Sequence, residues 1–202
     1  LPRAGDSAWV ELVRAMQEAN MNMVRVWGGG VYPPDAFFAA CDTAGILVWQ
    51  DLMFANVMVP DDDAFLANVR KEVREQVGRI QHHASLALWC GNNEVEVAWH
   101  NWGWQQTYGM SAADSTRMWN AYQALFEEAL KQWTYDLDRG HAYVSTSPIS
   151  NWGNTEGLRH GDLHYWGVWH GDQPFEAFAD NVGRFVSEYG FQSYPAWSTL
   201  AR

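Results

Sequence analysis

The sequence has few cysteines, no long apolar run and no signal-peptide pattern in its first residues. Only Cys41 and Cys90 occur in 202 residues, so disulfides cannot organise the fold and a zinc finger is excluded. Residues 1–6 lack the basic and apolar parts of a signal peptide. The chain does not begin with Met, and we expect its true N-terminus to be missing. These features leave the compartment open and favour the cytoplasm.

Basic residues are also scarce, which narrows the class of partner. Thirteen Lys and Arg face 24 Asp and Glu, giving a formal net charge of −11. Such a chain repels polyanions, so nucleic acid and anionic membrane surfaces are not expected partners. No run of 18 apolar residues is present, so the sequence predicts no membrane-spanning segment. A neutral substrate fits this composition best.

The apolar residues, 48% of the chain, fall into short runs that alternate with segments of helical period. Continuous hydrophobicity is typical of strands buried on both faces of a parallel sheet. The predicted strands cover residues 23–27, 46–50, 86–90, 142–145, 162–166 and 184–188. The first predicted helix begins near residue 6. Four more cover residues 35–45, 61–82, 111–133 and 175–180.

Repeated strand–helix units favour an α/β fold, either a (β/α)8 TIM barrel or a doubly wound sheet. A complete barrel typically takes about 250 residues and eight strands. Since this chain has six predicted strands and no composition change that marks a linker, we expect an incomplete TIM barrel. Residues 1–202 would form a single partial catalytic domain.

Two of the apolar runs end on a glutamate. Glu94 closes the string Trp-Cys-Gly-Asn-Asn-Glu, and Glu188 closes Phe-Val-Ser-Glu. Because parallel strands end at the same sheet edge, both carboxylates are expected at one cleft, as a glycoside hydrolase requires. Taken alone, each glutamate is also compatible with an acidic residue that complements a helix dipole.

Other motifs indicate structure rather than chemistry. The triplet 61–63 is Asp-Asp-Asp and precedes a long helix, so N-terminal capping is favoured over a cation site. His-Glu-x-x-His is absent, and no metal or other cofactor is expected. Thirteen Trp remain, an unusual number, and indole rings suit the apolar faces of sugars as well as ordinary cores.

The segments around the strand ends resemble the catalytic barrel of the β-mannosidases of glycoside hydrolase family 2. The resemblance is carried, in order, by residues 23–32, 47–55, 89–94 and 187–193, with Trp-Gly-Gly-Gly and Trp-Cys-Gly-Asn-Asn-Glu as its most specific strings. It implies that the six strands are strands 2 to 7 of the barrel. Strands 1 and 8, and flanking β-sandwich domains, would then lie in missing N- and C-terminal parts of the parent chain.

The resemblance also implies roles for individual residues. Glu94 would be the general acid/base and Glu188 the nucleophile of a retaining mechanism. Arg25 would hold the nucleophile ionised, although it is also compatible with a structural partner for a buried carboxylate. Asn93 would donate to the 2-hydroxyl of the sugar. The remaining candidate substrate-binding residues are Trp27, Trp102, Trp152, His164, Tyr165 and Trp166, for which ordinary packing is the alternative.

The predicted function is therefore retaining exo-β-mannosidase activity on terminal non-reducing β-D-mannose of a glycan or oligosaccharide. Another family 2 exo-β-glycosidase, of the galactosidase, glucuronidase or glucosaminidase type, is the alternative within enzymes. A non-catalytic sugar-binding barrel is the alternative outside them, but it would not need both glutamates.

Overall fold

The structure is a computed structural model that describes residues 5–151, 157–191, 194–195 and 197–201. The chain divides into two compact units, Leu1–Ser147 and Pro148–Arg202. Each unit contains a parallel sheet together with helices. The predicted α/β fold class is therefore confirmed.

The first unit is built on a four-stranded parallel sheet in the order β1-β2-β3-β4. Its strands are β1 (Met23–Val26), β2 (Leu47–Asp51), β3 (Leu86–Cys90) and β4 (Ala142–Val144). Its helices are α1 (Asp6–Glu18), α2 (Asp35–Ala44), α3 (Asp63–Ile80), α4 (Val95–Asn101), α5 (Trp104–Thr107), α6 (Ala112–Tyr122) and α7 (Leu130–Leu137). All four strands coincide with predicted strands to within one or two residues.

Helices and sheet enclose one apolar core in this unit. Val77 and Ile80 of α3 and Phe38 of α2 are fully buried there together with Val48 and Trp89 of the sheet. Because strand residues on both faces are covered, the sheet needs the continuous apolar runs seen in the sequence.

Two predicted helix starts are confirmed by capping geometry. Asp62 accepts a hydrogen bond from the backbone N–H of Phe65 at 2.9 Å, so the acidic triplet caps α3. Ser111 caps α6 by accepting from the N–H of Asp114 at 3.1 Å, and its hydroxyl donates to the Asp114 carboxylate at 2.7 Å.

The helix predicted over residues 111–133 is interrupted. A π-helical segment, Gln123–Ala129, separates α6 from α7, and the helical path continues to Leu137. Leu125 and Phe126 of this segment are buried in the core. A wider turn rotates the side chains that follow it, and the 3.6-residue period of the sequence gives no sign of such a change.

The second unit has a three-stranded parallel sheet in the order β5-β6-β7. Its elements are β5 (Ser150–Asn151), β6 (Leu163–Tyr165), α8 (Ala177–Asp180), β7 (Val186–Tyr189) and α9 (Trp197–Leu200). Strand β5 was not predicted, because two residues are too short to form a hydrophobic pattern. Among the helices of the described ranges, none is both long and apolar enough to cross a bilayer.

Candidate active site

Glu94 lies just beyond β3, at the N-cap position of α4, in the left-handed backbone region with φ 58°. Its N–H donates to the carbonyl of Ser147 at 2.8 Å. Asn92, fully buried, holds the same turn, since its Oδ1 accepts from the N–H of Val95 at 3.1 Å and from the Thr146 hydroxyl at 2.9 Å. A non-glycine residue at positive φ needs such support.

Arg25 of β1 and Asp51 of β2 form a buried ion pair beside this turn. The Arg25 Nη2 and Nε atoms lie 2.8 and 3.2 Å from the two Asp51 oxygens, and Asp51 is fully buried. Asp51 also accepts from Trp49 Nε1 at 2.8 Å and from the N–H of Gly28 at 3.0 Å. Four donors thus satisfy the carboxylate, as a buried charge requires.

A series of amides connects this ion pair to Glu94. Arg25 Nη2 donates to Asn93 Oδ1 at 2.9 Å, and Asn93 Nδ2 donates to Asn56 Oδ1 at 3.0 Å. Asn56 Nδ2 then donates to Glu94 Oε2 at 2.9 Å. The side chains of Arg25, Asn93 and Glu94, predicted site residues from two different strand ends, are therefore connected through Asn56.

Glu188 of β7 lies in the second unit beside His164 of β6. The two residues are register partners, and His164 Nδ1 is 3.5 Å from Glu188 Oε2. His164 is almost completely buried and the Glu188 side chain is 19% exposed. Asp162 supports the strand pair, because its carboxylate accepts from the N–H of Ile149 at 2.7 Å and from the Ser187 hydroxyl. The structure thus places His164, one of the residues expected to contact the nucleophile or the sugar, beside Glu188.

The other predicted sugar-contacting residues have varied environments. Trp27 and Trp102 keep 46% and 45% of their surface exposed, as rings that contact a ligand would. Tyr165 is buried against Phe178 and its hydroxyl donates to Gln173. The Trp166 ring packs on His170, with 5.4 Å between centroids. Trp152 lies outside the described residues.

The comparisons with known proteins point in one direction. β-Mannosidase B of Thermothelomyces thermophilus is 40% identical over 202 residues, which cover 99% of this chain and 24% of that protein. β-Mannosidase of Rattus norvegicus is 38% identical over 201 residues, which cover 95% of this chain and 22% of that protein. The crystal structure of a β-D-mannosidase from Dictyoglomus thermophilum matches with a TM-score of 0.82 and 36% identity, covering 100% of this chain and 23% of that one.

The chain belongs to the β-mannosidase branch of glycoside hydrolase family 2. The match to the Dictyoglomus structure also supports the predicted partial TIM barrel. A β-glucuronidase structure from Bacteroides uniformis has a TM-score of 0.59, with 19% identity over 89% of this chain and 17% of that one, and shows the fold alone. No family model matches the chain. The chain spans less than a quarter of the length of the curated relatives named above.

Two residues in this β-mannosidase-branch chain were missed by sequence reasoning. Asp51 is the last residue of β2. The expectation that acidic residues at strand ends lie at the cleft therefore applied to Asp51 as well. Asn56 lies in the loop after β2, where no periodicity or motif marks it. Its contact with Glu94 joins positions 38 residues apart.

Gly28 shows why the Trp-Gly-Gly-Gly string is needed at this sheet edge. A Cβ atom at Gly28 would lie 2.5 Å from the carbonyl oxygen of Phe54 and 2.8 Å from that of Leu52. Only glycine allows the backbone to come this close while its N–H donates to Asp51. The close approach of this backbone to the end of β2 therefore requires glycine at position 28.

A further carboxylate, Glu96, lies in the first turn of α4. Burial raises its pKa, and a hydrogen bond from the Tyr122 hydroxyl at 3.2 Å lowers it by less. The nearby Glu127 adds to the rise. The pKa of Tyr122 is raised well above its ordinary value, first by burial, so this hydroxyl remains a donor.

Proposed function

We propose that the protein is a retaining exo-β-mannosidase that releases terminal non-reducing β-D-mannose from glycans or oligosaccharides. The observation that carries the proposal is the 35–40% identity to proteins named as β-mannosidases over 95–99% of this chain. Exo action rests on the family resemblance. Because the relatives are much longer than this chain, the activity is proposed for the protein as it is encoded.

In the first step of this mechanism, a Glu188 oxygen attacks the anomeric carbon while Glu94 protonates the departing glycosidic oxygen. The bond from anomeric carbon to glycosidic oxygen breaks, and a mannosyl ester on Glu188 forms. In the second step, water attacks the same carbon, Glu94 accepts its proton and Glu188 leaves as a carboxylate. Two displacements retain the β configuration, and the carboxyl groups must stand about 5–5.5 Å apart.

The surroundings of each glutamate support these roles. Glu94 lies in a backbone turn fixed by buried hydrogen bonds, with a neutral amide donor on one carboxylate oxygen. Glu188 extends from a strand, partly exposed, with a buried imidazole at 3.5 Å. Asn93, Trp27 and Trp102 are proposed to bind the sugar, with Arg25 orienting Asn93. His164, Tyr165, Trp166 and Trp152 are proposed as further contacts.

Intact-mass analysis after reaction with 2-deoxy-2-fluoro-β-mannosyl fluoride tests the proposal. The fluorine slows both steps, and the reactive leaving group lets the first step proceed, so the mannosyl ester should accumulate. We expect one adduct, located on Glu188 by peptide mapping. Labelling of another residue, or turnover with inversion and no adduct, would contradict the mechanism.

Substrate choice separates this function from its alternatives. We expect hydrolysis of aryl β-mannosides in preference to aryl β-galactosides and β-glucuronides. Preference for either of the latter would favour another family 2 glycosidase. Binding of mannosides without any hydrolysis would favour the non-catalytic sugar-binding barrel.

A further inference from the structure

Asn56 is held in one orientation by its backbone. It adopts the left-handed conformation with φ 56°, which asparagine tolerates better than most residues. Its N–H donates to the Asn93 carbonyl at 3.0 Å, and Asn93 N–H donates to the Phe54 carbonyl at 2.9 Å. Ala55 and Asn93 form a parallel bridge that extends the pairing of β2 and β3 past the strand ends. The loop therefore cannot move without breaking sheet-like hydrogen bonds.

The direction of the amides follows from Arg25, which can only donate. The Asn93 atom that faces Arg25 Nη2 at 2.9 Å must be the oxygen. Asn93 Nδ2 is then directed at Asn56 and donates to its Oδ1. The remaining atom of the Asn56 amide, Nδ2, must face Glu94. A guanidinium fixed by buried Asp51 thus determines that Glu94 Oε2 meets a donor and not an acceptor.

We propose that Asn56 is a positioning residue that selects which oxygen of Glu94 carries the transferable proton. The proposal rests on the proposed function, in which Glu94 is the acid/base. When Glu94 is protonated, Oε2 must accept from Asn56 Nδ2, so the proton resides on Oε1. When Glu94 is ionised, the same N–H stabilises the carboxylate. Asn56 therefore holds Oε2 of Glu94 in a hydrogen bond, so that Oε1 donates the proton in the first step and accepts it in the second.

Two substitutions at position 56 separate the effect of the side-chain amide from the effect of the left-handed backbone conformation. Asn56→Gly removes the donor and accepts positive φ without strain. Asn56→Asp keeps the shape and tolerates the left-handed backbone, but it places a second carboxylate at 2.9 Å from the position of Glu94 Oε2. Asn20→Gly and Asn20→Asp are matched controls, because Asn20 has φ 58° and is exposed after α1.

The readout is kcat/KM of the full-length encoded protein on two aryl β-mannosides, with thermal melting to verify folding. Phenol needs a proton to depart, whereas 2,4-dinitrophenolate departs unaided. For both Asn56 variants we expect kcat/KM on the phenyl substrate to fall roughly 10- to 100-fold, as for a lost hydrogen bond to a charged group. The dinitrophenyl substrate should change by less than about 3-fold, and the Asn20 variants should leave both values unchanged.

The pH profile gives a second signature. In Asn56→Asp, a like charge beside Glu94 disfavours ionisation, so the basic limb of kcat/KM on the phenyl substrate should move to higher pH. In Asn56→Gly the limb should move in the same direction, because the ionised Glu94 loses its N–H donor. A purely structural role for Asn56 would lower kcat/KM on both substrates equally and leave the limb of Asn56→Gly in place, and this result would overturn the proposal.

Glu94→Gln provides the reference for the whole series. If it loses the phenyl substrate selectively while both Asn56 variants do not, the role of Asn56 is refuted and the proposed function stands. If Glu94→Gln itself shows no selective loss, the acid/base assignment fails, and the role of Asn56 fails with it.

Discussion

The surroundings of Glu94 and Glu188 differ in the groups that contact each carboxylate. Glu94 faces the Asn56 amide, which is connected through Asn93 to a buried ion pair. Glu188 faces the imidazole of His164, its partner on the neighbouring strand. The Asn56 amide is neutral and its Nδ2 can only donate, so the role of this contact with Glu94 is fixed. Each ring nitrogen of His164 can be a donor or an acceptor, so the role of its contact with Glu188 depends on the tautomer.

The largest effects are expected when each glutamate is replaced with alanine and azide is added as an external nucleophile. We expect Glu188→Ala to lose essentially all turnover and Glu94→Ala to lose roughly 100- to 10,000-fold on substrates that need an acid. With azide, Glu188→Ala undergoes one displacement and should yield α-mannosyl azide, whereas Glu94→Ala undergoes two and should yield β-mannosyl azide. Product stereochemistry by NMR checks this, and reversed products would exchange the two roles.

The second test removes the negative charge of Asp51 from the ion pair with Arg25. Asp51→Asn removes a fully buried carboxylate that pairs with Arg25, whose side chain is only 11% exposed. We expect a loss of about 3–5 kcal/mol in the free energy of unfolding, measured by urea titration. Glu18→Gln, which breaks the exposed pair with Arg14, should change it by less than about 1 kcal/mol. Equal effects would show that burial does not distinguish the two pairs.

A third test uses a carboxylate–imidazole pair that is separate from Glu188. Asp138 contacts His141 Nδ1 at 2.8 Å and Trp89 Nε1 at 2.9 Å. Burial raises the pKa of Asp138, but the hydrogen bonds from Trp89, His141 and the Gly140 N–H outweigh it, so the pKa is lowered overall. A lowered folded-state pKa stabilises the fold above the unfolded value, near 3.9, and this contribution is lost as pH falls through the folded value.

We therefore expect Asp138→Asn to lower the melting temperature most above about pH 5, with the difference from the parent shrinking below about pH 4. Melting scans across pH measure it. Asp136→Asn, on the exposed side of α7, is the control and should give a difference that varies little with pH. A difference for Asp138→Asn that grows as pH falls would contradict the assigned direction.

The smallest effect is expected far from either glutamate. Ser111→Ala removes the N-cap of α6 and should cost about 1 kcal/mol of unfolding free energy. Ser115→Ala, one turn into the helix, should cost less because it removes no cap. Neither change should alter the leaving-group pattern, so a selective loss in Ser111→Ala would extend the catalytic region beyond the strand ends.

Local patterns determined much of this protein. Within the part of the chain that the structure describes, continuous apolar runs indicated six of the seven strands, and capping residues indicated the starts of α3 and α6. The strand-end rule selected Glu94 and Glu188, and specific strings selected the family. These features depend on neighbours within a few residues, so their information is present in short segments of sequence.

Only the tertiary structure decided how the side chains are paired. The Arg25–Asp51 and Asn56–Glu94 contacts join residues 26 and 38 positions apart, and the π-helical segment occurs within a sequence of ordinary helical period. The long-range contacts arise because helical connections bring the ends of parallel strands to the same edge of the sheet. Core packing then fixes the register of each strand and the winding of each helix. The positions of Glu94 and Glu188 at the ends of apolar segments could be predicted from the sequence. The contact of Asn56 Nδ2 with Glu94 was determined by tertiary packing alone.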